Sequence, residues 1–142
     1  MRLTTALARA VGPARTIVLL QFLKFGVVGT VGFVVDTSTV YALRGSLGLY
    51  GAGAAAYLTA ASGNWVLNRI WTFRGKGGQP AHRQWALFLM ANLVGFMLNR
   101  GTYAILVTFV PRCAAEPVWA VAAGSIAGLW TNFFLSRKLV FR

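Results

Sequence analysis

Two charged residues stand in stretches of sequence that are otherwise almost entirely uncharged. Asp36 lies in the apolar run that begins near Leu20, and Arg100 in the one that begins near Trp85. A lone charge near the centre of a bilayer costs at least about 2.5–3.5 kcal/mol, so each should face protein or water and have a partner. The two sit at similar depths, beyond the midpoint of their runs, and are the only opposite charges so placed. They are expected to be close, as an ion pair or as opposite walls of one polar cavity. A buried structural pair is the plainer account, and lining the path of a polar headgroup is the sharper one.

A second set of candidates is basic. Lys24, Arg69, Arg74, Arg137 and Lys138 fall at the ends of apolar runs beside Trp65, Trp71 and Phe73. Arg69 and Arg137 each stand five residues after an asparagine, Asn64 and Asn132. Guanidinium groups bind phosphate with two parallel hydrogen bonds, so a convergent pair at headgroup level suits a lipid phosphate. The plainer reading is that such bases only set topology. No nucleophile–base pair, metal-ligand cluster or phosphate-cradling glycine loop accompanies them. With one histidine, His82, and two acids, Asp36 and Glu116, acid–base chemistry has almost no apparatus. The chain is not expected to be an enzyme, to hold a metal or to need a cofactor. The single cysteine, Cys113, excludes an intrachain disulfide and has no ligating companion.

The elements that must position these groups are membrane helices. Of 142 residues 57% are hydrophobic and 11% charged, and the mean hydropathy is +0.63. A soluble domain has about 25% charged residues, so this composition cannot clothe a water-soluble core. A spanning helix needs about 20 apolar residues, and four fit: Leu20–Leu43, Ala52–Phe73, Trp85–Val110 and Val118–Val140. A short turn around Gly45–Gly51, a polar loop over Arg74–Arg83, and Pro111 with Pro117 separate them. The net charge of +12 would suggest nucleic acid in a soluble protein. Here the bases flank apolar runs, which points to orientation and anionic lipid instead of nucleic acid. Eleven of the 14 bases fall on one side, Arg44 and Arg112 on the other, and Arg100 within a run. The crowded side is cytoplasmic by the positive-inside rule, which puts both termini in the cytoplasm.

Residues 1–19 read as a basic tail or an interfacial helix, with Leu3, Leu7 and Val11 at four-residue spacing. No uninterrupted apolar stretch follows Arg2, so a cleaved signal peptide is not expected. Residues 20–142 form one transmembrane domain containing an internal repeat, about 20–74 and about 84–142. Asn64-Trp-Val-Leu-Asn-Arg-Ile-Trp-Thr-Phe-Arg74 and Asn132-Phe-Phe-Leu-Ser-Arg-Lys-Leu-Val-Phe-Arg142 share Asn, Leu, Arg, Phe and Arg at the same spacing. At an offset of 63 residues Phe25 matches Phe88, Gly32-Phe33 matches Gly95-Phe96, and Asp36 matches Asn99. The expected fold is therefore all-α: four transmembrane helices as two tandem parallel hairpins, related by an axis along the membrane normal.

Helical spacing gathers the small and polar residues of each span on one stripe. The first span has Gly29, Gly32 and Asp36, and the third has Asn92, Gly95 and Asn99. The second has Ala56, Ala60, Asn64 and Asn68, and the fourth Gly124, Gly128, Asn132 and Ser136. Such stripes are packing seams in one reading, with the asparagines binding helix to helix. In the other, the asparagines line a polar path.

The sequence resembles the GtrA-like family of small bacterial membrane proteins. The residues carrying the resemblance are Phe22-Leu-Lys-Phe-Gly-Val-Val-Gly29 with Gly32 and Asp36, Asn64–Phe73, Asn132–Phe141, and the four-span layout. The resemblance covers about Gln21–Arg142 and implies a role in cell-surface polysaccharide synthesis. It implies translocation of a polyprenyl-phosphate-linked monosaccharide across the bacterial inner membrane, in a multi-pass protein. The motif positions carried over are Lys24, Gly29, Asp36, Asn64, Asn68, Arg69, Asn132 and Arg137, with Ser136 standing where the first half has Asn68. On this reading Arg69 and Arg137 capture phosphate, while Asn64, Asn68, Asn99 and Asn132 bond sugar hydroxyls. Asp36 and Arg100 form the outer part of the path. Anionic lipids, a membrane glycosyltransferase and a second copy of the chain are the partners it allows. No ATP-binding element is seen, so movement is expected to be passive or gradient-driven.

Two other functions compete. A scaffold for a glycosyltransferase has no substrate path and should tolerate Asp36→Asn and Arg100→Gln. A small proton-coupled antiporter would use Asp36 as its titrating acid, but that class typically lacks both a fixed cationic neighbour and this repeat.

Overall fold

In the computed structural model, residues 12–76 and 78–142 are described, and the expected interfacial helix over 1–19 lies mostly outside them. All regular structure among the described residues is helical. The chain divides into two compact units, Met1–Gly75 and Lys76–Arg142.

The first unit is one long helix, α1 (Pro13–Leu67), continued by a π-helical turn, Asn68–Thr72. Pro13 opens it, since a proline at the first helical position gives up no needed N–H. The helix runs from Pro13, not from Leu20 as the hydropathy boundary suggests, because nothing between them breaks helical geometry. Run straight, its 60 residues to Thr72 would extend about 90 Å, three bilayer cores. It breaks instead at Gly48, whose φ of 66° and ψ of 174° belong to a region that glycine alone enters freely. The chain folds back there. Gly32 and Asn64, equally far from Gly48 in sequence, meet, and so do Phe25 and Phe73, with ring centroids 6.3 Å apart. The limbs 13–47 and 49–67 therefore form an antiparallel hairpin closed at Gly48 and open at the other end.

The second unit is a hairpin of the same kind. Helix α2 (Ala81–Phe109) leads into Val110, whose extended backbone precedes Pro111, as the crowding before a proline requires. A short helix, α3 (Pro111–Ala115), fills the turn, where the sequence suggests only a loop. Helix α4 (Val118–Leu135) returns and ends in a π-helical turn, Ser136–Val140. Gly95 meets Asn132, and Phe88 meets Phe141 at 6.0 Å between centroids.

Among the described residues two helices are long and apolar enough to span a membrane: Pro13–Thr72, with a most apolar window of mean hydropathy 2.0, and Val118–Val140, at 1.4. Helix α2 has the length, but Gln84, Asn92, Asn99 and Arg100 lower its apolarity. Only 22% of each apolar window is buried, so these helices turn most of their apolar surface outwards. Phe33 is 71% exposed, Met97 66% and Phe109 76%. A water-soluble fold would have hidden such side chains, whereas lipid accepts them.

Candidate functional site

The seam of each hairpin is built on bare backbone. A Cβ placed on Gly32 would collide with the side-chain amide of Asn64, and one on Gly95 with that of Asn132. Each asparagine lies flat on a glycine of the facing limb. The Oδ1 of Asn132 is buried without a conventional donor. Its seat on Gly95 is the geometry of a Cα–H···O contact, a weak bond that recurs where helices pass closely. Hairpin two is tighter still. A Cβ on Gly124 would lie 2.6 Å from the carbonyl oxygen of Asn99, and one on Gly128 3.0 Å from that of Gly95. The repeat places Ala56 and Ala60 at these positions in hairpin one, where both are buried.

At the open ends the two hairpins use one device. The backbone N–H of Phe73 donates to the carbonyl of Asn68, and that of Phe141 to the carbonyl of Ser136, both at 2.8 Å. Each bond spans five residues, so the wide turn brings the sixth residue round to the face of the first. Phe73 and Phe141 thereby point inwards, fully buried, onto Phe25 and Phe88. Asn68 and Ser136 are also buried, and Asn68 Oδ1 and Ser136 Oγ have no hydrogen-bond partner.

Beside this device hairpin one has an open cleft of about 250 Å³. Ile17, Leu20 and Trp71 supply its apolar walls, and Gln21, Lys24, Thr72 and Arg74 its polar groups. Lys24 Nζ stands 5.4 Å from the Trp71 ring centroid, a cation–π contact that holds the ammonium at the cleft wall. Arg74 is exposed, just past Phe73. Thr72 is 5% exposed, and its Oγ1 has no hydrogen-bond partner. Two positive charges and the Gln21 side chain thus line a cleft at the end of an apolar hairpin. An anion fits that donor set.

The open end of hairpin two is occupied by the protein itself. Gln84, fully buried, donates from Nε2 to the carbonyl of Val140 at 3.3 Å, and Gln79 donates to that of Leu139 at 3.2 Å. The last carbonyls of a helix lack intrahelical donors, and these two glutamine amides supply them.

The sequence candidates distribute accordingly. Lys24 lies on the cleft. Arg69 stands over Trp65 at 5.6 Å and is not among the cleft-lining residues. Half-buried Arg137 and exposed Lys138 lie in the wide turn of hairpin two. Asn64, Asn99 and Asn132 are in the seams, which is the helix-binding arrangement. Asn92 donates to the carbonyl of Phe88 at 2.8 Å, so its amino group is turned onto its own helix. Asp36 is half-buried one turn beyond Gly32, and Arg100 is exposed, 5.6 Å over Phe96. Gly29, expected on the seam, is exposed and meets nothing that a Cβ would touch, so Gly32 alone makes the close approach in that limb. Sequence reasoning missed Gln21, Thr72 and Gln84. A signal for the glutamines was present: Gln21 and Gln84 both precede the buried phenylalanine of their repeat by four residues. Among the described residues no group of three or more His, Cys, Asp or Glu side chains is placed to hold a metal ion.

A family model described as GtrA/DPMS, transmembrane domain, matches residues 24–141. No curated protein matches the chain.

Proposed function

The chain belongs to the GtrA/DPMS transmembrane-domain family, and from that premise we propose that it moves a polyprenyl-phosphate-linked monosaccharide across the cytoplasmic membrane. The observation that carries the reading is the cleft of hairpin one, with Lys24, Arg74, Gln21 and Thr72 gathered at the end of an apolar hairpin.

In this proposal both hairpins cross the bilayer and return, with their open ends at the cytoplasmic face. Lys24, Arg69, Arg74, Arg137, Lys138 and Arg142 lie towards those ends, while Arg44 is near the Gly48 bend and Arg112 in the Pro111–Ala115 turn. That asymmetry is the positive-inside pattern. Bases at this depth meet phosphate while Trp65 and Trp71 sit at the same interface.

The mechanism follows from where the substrate is soluble. Its prenyl tail remains in hydrocarbon throughout, so only phosphate and sugar need a polar surface. Lys24 and Arg74 capture the phosphate, the first as a compact charge held by Trp71 and the second as a two-pronged donor. The Gln21 amide bonds a remaining oxygen or the sugar. Asp36, deeper on the first limb, offers an acceptor to hydroxyls beyond the cleft. The protein makes and breaks no bond, and the direction of movement follows consumption of the sugar outside.

The test is reconstitution in liposomes holding a polyprenyl-phosphate sugar in the inner leaflet, with its exposure to an external enzyme followed in time. Proteoliposomes should expose the inner pool faster than protein-free liposomes. Equal rates with folded protein would refute the reading.

A further inference from the structure

We propose that the closed end of hairpin two holds a second lipid site, which seats the phosphate and first isoprene unit of a polyprenyl phosphate at the outer face. The inference rests on the translocation reading above and adds the place where the headgroup arrives.

The site is made by the turn. Val110 is extended before Pro111, and the short helix α3 then carries Arg112 and Cys113 round towards α4. An open cavity of about 270 Å³ results, lined by Val110, Arg112, Cys113 and Trp119. The Arg112 guanidinium stands 5.4 Å from the Trp119 ring centroid, and Trp119 Nε1–H donates to Glu116 Oε2 at 2.8 Å. The indole is thus held at its edge by a carboxylate and at its face by a cation. Glu116 is the one acid of hairpin two, and among the described residues it forms no ion pair with Arg112. Arg112 is exposed, and a guanidinium carries five N–H donors that an anion can use. Phe109, Val118 and Trp119 are exposed around it, which suits a place at the edge of the hydrocarbon.

The chemistry of the walls selects the occupant. Beside the guanidinium the lining is an isopropyl group, a thiol and an indole. In a glycerophospholipid, ester groups stand between the phosphate and the hydrocarbon. In a polyprenyl phosphate the hydrocarbon begins at the carbon that bears the phosphate oxygen. Apolar walls directly beside a guanidinium fit the second arrangement. The volume agrees, being below the roughly 300–1,000 Å³ of pockets that enclose a whole small molecule. The cavity therefore takes the start of a tail and leaves the rest in the bilayer. A sugar on that phosphate stays outside the cavity, towards the outer water.

Cys113 is the sole cysteine of the chain and lines the cavity, so its thiol reports on occupancy. The experiment follows alkylation of Cys113 by N-ethylmaleimide in the detergent-solubilised full chain, while native mass spectrometry counts lipid uptake in the same samples. Polyprenyl phosphate should slow the alkylation, whereas polyprenol, inorganic phosphate and phosphatidylglycerol should not. Arg112→Gln should raise the concentration for half protection about tenfold, the worth of one charge-assisted bond. Arg112→Lys should recover part of the loss, which separates charge from folding. Arg44→Gln, at the other closed end, should change nothing. A second readout needs no thiol: a polyprenyl phosphate with a diazirine on its first isoprene unit should mark residues 110–119 on irradiation. Lipid uptake with neither protection nor these marks would overturn the outer site and spare the headgroup reading. Unchanged protection in Arg112→Gln would overturn the role given to Arg112. Protection by polyprenol equal to that by the phosphate would overturn the phosphate assignment. Equal protection by phosphatidylglycerol or inorganic phosphate would overturn the prenyl assignment. No lipid uptake by folded protein would overturn the headgroup reading itself.

Discussion

Hairpin one and hairpin two share a scaffold and differ in the side chains they set along the seam and at the open end. Both press an asparagine onto a bare glycine, and both end in a wide turn that drives a phenylalanine inwards. Beyond that, hairpin two closes on itself through Gly124, Gly128 and Gln84, whereas hairpin one keeps Ala56 and Ala60 in its seam and a cleft at its end. The shared features are therefore those that hold two helices together in lipid, where close backbone approach replaces the hydrophobic effect. The features that differ include Lys24 and Thr72 of hairpin one, which stand against Leu87 and Val140, and the cleft they line is where binding is to be sought.

The comparison can be broken first at its shared base. Phe73→Ala and Phe141→Ala should each cost about 3–5 kcal/mol, as for other buried aromatics, read as lost thermal stability in detergent. If one is harmless, the two wide turns are not equivalent. Gly124→Ala should cost about 1–3 kcal/mol, because the new methyl meets a backbone carbonyl that cannot rotate away. Ala56→Gly, the mirror change in hairpin one, should cost only about 1 kcal/mol, mainly helix propensity. Equal effects would deny the tighter seam. The glutamines sharpen the contrast further. Gln84→Leu should lower stability by about 1 kcal/mol through the lost bond to Val140. Gln21→Leu, at the cleft of hairpin one, should weaken lipid uptake. The smallest effect expected is that of Arg100→Gln on lipid uptake, since Arg100 lies in hairpin two, well along α2 from its open end.

Much of the scaffold was legible in the sequence because its causes are local. Gly48 lies inside the predicted Gly45–Gly51 turn, and Pro111 marks the second, since φ restrictions act on single residues. The repeated Asn…Arg…Phe ending pointed to equivalent helix ends. What it concealed was the wide turn, because a five-residue bond replaces a four-residue one without changing residue type. The site was less legible. Arg69 and Arg137 drew notice as a repeated pair, whereas the cleft combines repeated residues, Gln21 and Arg74, with Lys24 and Thr72, which hairpin two replaces by Leu87 and Val140. Lys24 was visible as a base, while Thr72 and Gln21 look ordinary until the fold places them at one opening. The asparagine stripe was open to two readings, and the glycine seats of Asn64 and Asn132 favour the packing one.

The central claim is tested most directly by the initial rate at which proteoliposomes expose a polyprenyl-phosphate sugar, compared between Lys24→Met and its repeat-equivalent Leu87→Met. The account predicts a rate near that of protein-free liposomes for Lys24→Met and a rate near wild type for Leu87→Met. Equal rates for the two variants, in either direction, would contradict it.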